Sequence, residues 1–238
     1  MEIFPYIERI NKKKPYQLFC FPHAGGNCLT FAKWVDASTK IDIVPISLDE
    51  RGDENSYDVM VAIISEKIVN ILDGRPYYFY GHSMGAAFAF SVLHYCDKKY
   101  HCCPEKLIVA GRQPPYDKCS ESFRSSMGMD ALIDELRNAG GTSMELLESD
   151  VFKEYVLPDI MNDYKLHEGF KYRGEIINTP IVAHCGAEDF EANENIMRGW
   201  KKVTTGDFKT KIFSGGHFFP HNTKHYISDL EIEILEQV

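Results

Sequence analysis

Residues 76–86 read PYYFYGHSMGA. A short aromatic run ends at Gly81, a serine follows two places on, and a second glycine sits two places after that. An apolar stretch opening on small residues, MGAAFAFSVLHYC (84–96), then takes over. The run before Gly81 predicts a buried strand and the longer stretch after Ser83 predicts a helix. Ser83 therefore falls on the turn between them. Glycines at 81 and 85 let such a turn close tightly without side-chain clashes. The Ser83 hydroxyl would stand at the carboxyl end of a sheet. The Met84 N–H would point into the same space from a helix N-terminus, where negative charge is favoured.

Working outward, YQLFCF (16–21), IDIVPISL (41–48), KLIVAG (106–111), TPIVAHCG (179–186) and KTKIFSGG (209–216) read as further strands, the second interrupted by Pro45. Helical stretches fall between them, among them SYDVMVAIISEKIVNIL (56–72), with apolar residues three and four apart, and another closes the chain. Apolar strands alternating with helices predict a mostly parallel sheet covered on both faces, an α/β fold. Almost seventy residues separate the strands ending near Gly111 and opening at Thr179. A parallel crossover needs far fewer. The excess, about 113–175, carries the helical pieces MDALIDELRNAGG and DVFKEYVLPDIMNDYKLHEGF. It is expected to be an inserted helical lid on a single domain spanning 1–238.

A serine hydroxyl is a poor nucleophile until a base takes its proton. IFSGGHFF places His217 just after a strand, behind two glycines, and PIVAHCGAEDF places Asp189 just after another. The chain order Ser, Asp, His is that of the α/β-hydrolase triad. Asp189 would hold the tautomer of His217 and stabilise the imidazolium. Glu188 is an adjacent alternative to Asp189, which the G-x-x-D spacing favours. His82 reads as support for the turn rather than as the base, and His23, His184 and His221 remain further candidates. FCFPHAGGN (19–27) follows the first strand and resembles the glycine loop that supplies an oxyanion donor in such hydrolases. The donors are assigned to the Ala24 and Met84 amides. A plain glycine turn is the alternative reading of that loop.

Composition narrows the classes. The 238 residues carry a formal charge of −9, which disfavours a nucleic-acid binder or electrostatic docking on anionic lipid. No apolar run reaches the length of a membrane span, and the first residues lack a secretory pattern, so a cytoplasmic location is expected. Seven cysteines at irregular spacing, without Cys-x-x-Cys, read as reduced thiols. The cluster HYCDKKYHCC (94–103) lacks the two separated ligand pairs of a structural zinc site. Neither a metal nor a cofactor is expected.

Taken in order, FCFPHAGGN, GHSMGA, RQPP, LRNAGGTSMELLES, LPDIMNDYKLHEGFKY and GGHFF resemble the type II thioesterases. These stand-alone α/β-hydrolases accompany nonribosomal peptide and polyketide synthases. The resemblance runs from about residue 16 to 220, and LPDIMNDYKLHEG is its most specific part, absent from general lipases and esterases. It implies hydrolysis of the thioester linking an acyl group to the phosphopantetheine arm of an acyl or peptidyl carrier domain, clearing misprimed or stalled units. It also implies Ser83, Asp189 and His217 as triad, with Ala24 and Met84 as oxyanion donors. Departures are Ala86, where the family often has glycine, and SLDERGDENSY (47–57), near Glu50 and Arg51, in place of a Pro-Gly-Arg segment. An apolar cleft under amphipathic lid helices is expected, with Met127, Met129, Leu132, Leu136 and Phe152 as candidate lining residues. Carrier domains are commonly acidic, so docking on this acidic chain calls for a local basic or apolar patch. Arg112, Lys118, Arg124 and Lys153 are candidates. A monomer is expected. The alternative activity is that of another serine hydrolase or an acyltransferase acting on small esters or acyl-CoA.

Overall fold

In the computed structural model, residues 3–4, 14–48, 56–117 and 123–236 are described. Glu50, Arg51 and Lys118 lie outside them. Six strands, β1 (Tyr16–Phe21), β2 (Ile41–Pro45), β3 (Tyr77–His82), β4 (Leu107–Ala110), β5 (Ile181–Gly186) and β6 (Phe208–Phe213), form one sheet in the order β2-β1-β3-β4-β5-β6. Every pairing is parallel. The chain passes from β1 outward to β2, then crosses back to lay β3 on the other side of β1. The crevice beyond the carboxyl ends of β1 and β3 is thus a topological switch point, where open α/β sheets bind ligands.

The apolar strands reflect burial on both faces. Phe19 and Phe21 of β1, Phe79 of β3 and Leu107 and Val109 of β4 enter one core. Leu18 and Cys20, Tyr78 and Tyr80, and Ile108 and Ala110 enter the other. Alternation along a strand sends successive side chains to opposite faces. Helices α2 (Tyr57–Ile71) and α3 (Met84–Tyr100) cover the first face with Met60, Ile64, Ile68, Phe88 and Val92. Trp34 of α1 (Ala32–Ala37) and Leu230 and Ile234 of the C-terminal helix cover the second. On the edge strand β6, Lys209 is exposed and Lys211 pairs with Asp229 of the C-terminal helix at 3.1 Å, charges that blunt an exposed edge. The second strand ends at Pro45 rather than at Leu48, although the Ile46 N–H still donates to the Cys20 carbonyl at 2.9 Å; the proline is tolerated because β2 lies at the edge of the sheet.

Between β4 and β5 the chain forms α4 (Met129–Ala139), α5 (Met144–Glu148), a π-helical turn (Phe152–Val156) and α6 (Leu157–His167). DVFKEYVLPDIMNDYKLHEGF is therefore two pieces. Pro158 sits in the first turn of α6, where its missing N–H costs nothing, and its ring forbids an unbroken α-helix through residue 154. Phe123, Leu132, Leu136, Leu147, Phe152, Leu157, Ile160 and Met161 form a hydrophobic cluster separate from the two sheet cores. After β5 come α7 (Glu194–Met197), then, beyond β6, α8 (Phe219–Asn222) and α9 (Tyr226–Leu235). Among the described residues, no helix is long and apolar enough to cross a membrane.

Candidate active site

Ser83 follows β3 directly, with φ 54° and ψ −119°. A non-glycine residue in this region is strained and persists only where its surroundings fix it. The fixing contacts are visible. The Ser83 N–H donates to the Ala110 carbonyl at 2.9 Å, extending the β3–β4 ladder. A Cβ at Gly81 would lie 2.4 Å from the Gly85 carbonyl oxygen, and one at Gly85 would lie 2.1 Å from that of Phe21. Both glycines are required because helix α3 crosses the strands at backbone contact. Met84 is the first residue of α3, so its N–H has no acceptor within the helix. Ser83 and Met84 line a cleft under the helical insertion, together with Ala24 and His217.

Asp189 and His217 arrive from the ends of β5 and β6. Asp189 is buried, and its Oδ1 accepts from the Glu191 and Ala192 N–H groups, both at 3.1 Å. Its Oδ2 faces His217 Nδ1 at 3.1 Å. A carboxylate can only accept, so the proton sits on Nδ1 and Nε2 is left with its lone pair. The neighbouring Glu188 is exposed, so Asp189 is the one of the two carboxylates that pairs with His217. The histidine loop approaches closely because Gly186 leaves room: a Cβ there would lie 2.5 Å from the Gly215 carbonyl oxygen. His82 Nε2 donates to the His217 carbonyl at 2.9 Å, so His82 supports the histidine loop as well as the serine turn. His184 is remote from the cleft, its Nδ1 2.8 Å from the Tyr226 hydroxyl. Burial, reinforced by neighbouring imidazoles, pushes His23 down to about 3 and His82 well below the usual histidine range. Burial lowers His221 to about 4.

The loop after β1 closes with the Gly26 N–H donating to the His23 carbonyl at 2.9 Å, and Gly25 lies at φ +78°. Its N–H donates to Asp163 Oδ2 of α6 at 2.7 Å, and a Cβ there would lie 2.8 Å from Ile160 Cγ1. The insertion therefore grips the loop that carries Ala24. Asp163 escaped the sequence reading as an individual residue, although it sits in LPDIMNDYKLHEG. Its buried state is a tertiary property with no local signal. Arg112, Gln113 and His167 also line the cleft without having been singled out for it.

Two expectations are corrected. Of the five candidate lining residues, Leu136 faces the cleft. Leu132 and Phe152 pack inside the insertion's own cluster, and Met127 and Met129 are exposed. The amphipathic helices spend their apolar faces on each other, which leaves little of them for the cleft. Arg112 is buried, its guanidinium 5.8 Å from the Phe170 ring centroid, so it is no part of an exposed docking patch.

The parallel sheet, the strained serine turn after β3 and the histidine and carboxylate loops after later strands define an α/β-hydrolase. The sequence pattern of the family described as the thioesterase domain matches residues 16–233. The chain belongs to the thioesterase family and is a hydrolase acting on thioesters. It is 28% identical over 224 residues to the gramicidin S biosynthesis protein GrsT of Aneurinibacillus migulanus, covering 91% of this chain and 87% of that one. It is 27% identical over 221 residues to thioesterase PikA5 of Streptomyces venezuelae, covering 89% and 78%. The type II thioesterase BorB from the borrelidin biosynthetic cluster superposes with a TM-score of 0.81 at 26% identity, covering 94% of each chain.

Proposed function

We propose that the protein is a type II thioesterase of a nonribosomal peptide or polyketide pathway. In this reading it removes acyl, aminoacyl or peptidyl groups from the phosphopantetheine arm of carrier domains and so edits misprimed or stalled units. The observation that carries it is the pairing of His217 Nδ1 with buried Asp189 at 3.1 Å, beside a serine on a strained turn in the same cleft. The names of its relatives, from gramicidin S and borrelidin biosynthesis, supply the pathway class.

The chemistry follows from the chain's own groups. His217 Nε2 takes the Ser83 proton as Oγ attacks the thioester carbonyl, and Asp189 stabilises the imidazolium. The Ala24 and Met84 N–H groups receive the oxyanion. Collapse breaks the C–S bond, and the pantetheine sulfur leaves with the proton held by His217. A thiol, with a pKa of about 8.5, is a better leaving group than an alkoxide, so the general acid has less to do. Water, deprotonated by His217, then attacks the acyl-enzyme, releasing the carboxylic acid and restoring Ser83. No step calls for a cofactor beyond the pantetheine that the substrate carries.

For docking, the insertion offers Met144, Leu146, Val151 and Tyr155 as exposed apolar side chains. An apolar patch can receive a carrier domain without relying on charge attraction, which the overall charge of −9 does not favour. A monomer working in the cytoplasm fits this role.

The test is hydrolysis of an acetyl-loaded carrier domain, an acyl-CoA and a simple oxygen ester, side by side. Ser83→Ala should abolish acetyl release while the circular dichroism spectrum and melting temperature stay those of the parent. Turnover retained in that variant rejects the nucleophile, and a strong preference for the oxygen ester rejects the carrier substrate.

A further inference from the structure

Three histidines meet behind the cleft from three separate elements. His23 lies in the loop after β1, His82 ends β3 and His221 sits in α8. Their ring centroids form a nearly equilateral triangle, with separations of 5.2 Å for His23 and His82, 5.4 Å for His23 and His221, and 5.4 Å for His82 and His221. One ring nitrogen from each lies within 4.8 Å of the others. His23 Nδ1, His82 Nδ1 and His221 Nε2 are buried and have no hydrogen-bond partner. Buried polar atoms are ordinarily paired, so three orphaned acceptors or donors in one cluster call for an explanation.

The outer contacts add to this. His82 Nε2 points at the His217 carbonyl, which can only accept. The proton is therefore on Nε2, and Nδ1 of this fully buried ring holds a lone pair with nothing to receive. A metal-ligating histidine almost always donates its second N–H to a carbonyl or carboxylate in this way. The His221 ring is held by stacking on Trp34, at a centroid distance of 5.9 Å and 24° between planes. Among the described residues, this is the group of histidine, cysteine and carboxylate side chains whose ligand atoms converge. The HYCDKKYHCC cluster is not.

We infer that His23, His82 and His221 form a binding site for a divalent transition-metal ion, with three imidazole ligands and an open fourth position. Imidazole donors suit zinc, and three protein ligands leave one coordination position for water. Tetrahedral zinc with bonds of 2.0–2.1 Å places ligand nitrogens about 3.4 Å apart. Small ring rotations reach that from a spread of 4.8 Å. His23 lines the cleft, so the cluster adjoins the cleft on that side. An ion here would tie together the segments just before Ala24 and Ser83 and the helix after His217. The site holds no carboxylate to offset the charge of the ion, so the affinity should fall below that of structural zinc sites, which use thiolates.

The test is equilibrium dialysis of the whole protein against Zn²⁺, paired with the absorption spectrum of the Co²⁺ form. His221→Phe keeps an aromatic ring against Trp34 and removes one ligand. One zinc per chain is expected in the parent, with affinity at least about tenfold lower in the variant. Equal zinc binding by parent and variant, or none by the parent, overturns the inference. Should the variant fail to fold, the parent's Co²⁺ spectrum decides. Tetrahedral visible bands without thiolate charge transfer support an all-imidazole site, whereas thiolate charge transfer or the absence of any band overturns it.

Discussion

Replacing Asp163 by alanine tests whether the helical insertion sets the geometry of the loop proposed to supply an oxyanion donor. His23 to Gly26 is a tight turn closed by a backbone hydrogen bond, with Gly25 at φ +78° in its third position. That conformation is the one a type II turn needs there. Its central peptide, between Ala24 and Gly25, can rotate toward the type I arrangement. The Gly25 N–H, anchored 2.7 Å from buried Asp163 Oδ2, holds that peptide in one orientation. Losing a hydrogen bond to a charged acceptor costs about 1.5–3 kcal/mol. If that cost falls on the productive turn, at about 1.4 kcal/mol per tenfold, kcat drops by roughly 10- to 150-fold. The upper end approaches the loss of a whole oxyanion donor, about 10²–10³-fold. KM should change little, because the affected donor acts on the developing oxyanion. Steady-state release of free thiol from an acyl thioester reads both constants. Asp163→Asn keeps an acceptor oxygen and should recover a large part of kcat. Wild-type kcat in Asp163→Ala, a loss confined to KM, or an asparagine variant no better than alanine would refute the reasoning.

Other consequences follow from packing and charge. Gly85→Ala drives a Cβ to 2.1 Å from the Phe21 carbonyl oxygen, so it should cost at least ~3 kcal/mol and leave little folded enzyme; a melting temperature near the parent's would contradict the close approach. Leu132 is fully buried inside the insertion, so Leu132→Ala should cost about 2–5 kcal/mol in denaturant titration. Leu136→Phe, by contrast, should narrow the cleft and shift kcat/KM toward shorter acyl chains, and an unchanged chain-length profile would remove Leu136 from the acyl path. His184 is held neutral by burial, its pKa lowered from 6.5 to about 3. The unfolded chain takes up that proton below pH 6.5 and the folded chain does not, so stability is full above pH 6.5 and falls as pH drops toward 3. The loss is about 1.4 kcal/mol per pH unit. Urea midpoints across this range should flatten by about one proton in His184→Gln, and parallel slopes in the two proteins would refute the assignment.

Much of this molecule is written locally. The aromatic run, the glycines at 81 and 85 and the small residues after Ser83 dictate a strand, a tight turn and a helix, because each depends on neighbours a few positions away. The same holds for the strands that deliver Asp189 and His217, whose order along the chain already matches the hydrolase arrangement. Burial on both faces makes the inner strands β3, β4 and β5 largely apolar, so their existence and their parallel pairing were legible too. The short helices α1, α5, α7 and α8 were not, since a turn or two of helix has too few residues to display a period.

What the tertiary structure decided are the relations between distant segments. Asp189 rather than Glu188 meets His217 because the chain buries one and exposes the other. Leu136 rather than Leu132 reaches the cleft because the insertion packs a core of its own. Gly25 and Asp163 stand 138 residues apart, and the three clustered histidines come from three separate elements. Periodicity and turn chemistry are short-range, whereas these contacts depend on how the completed sheet and its insertion pack, which no local pattern encodes.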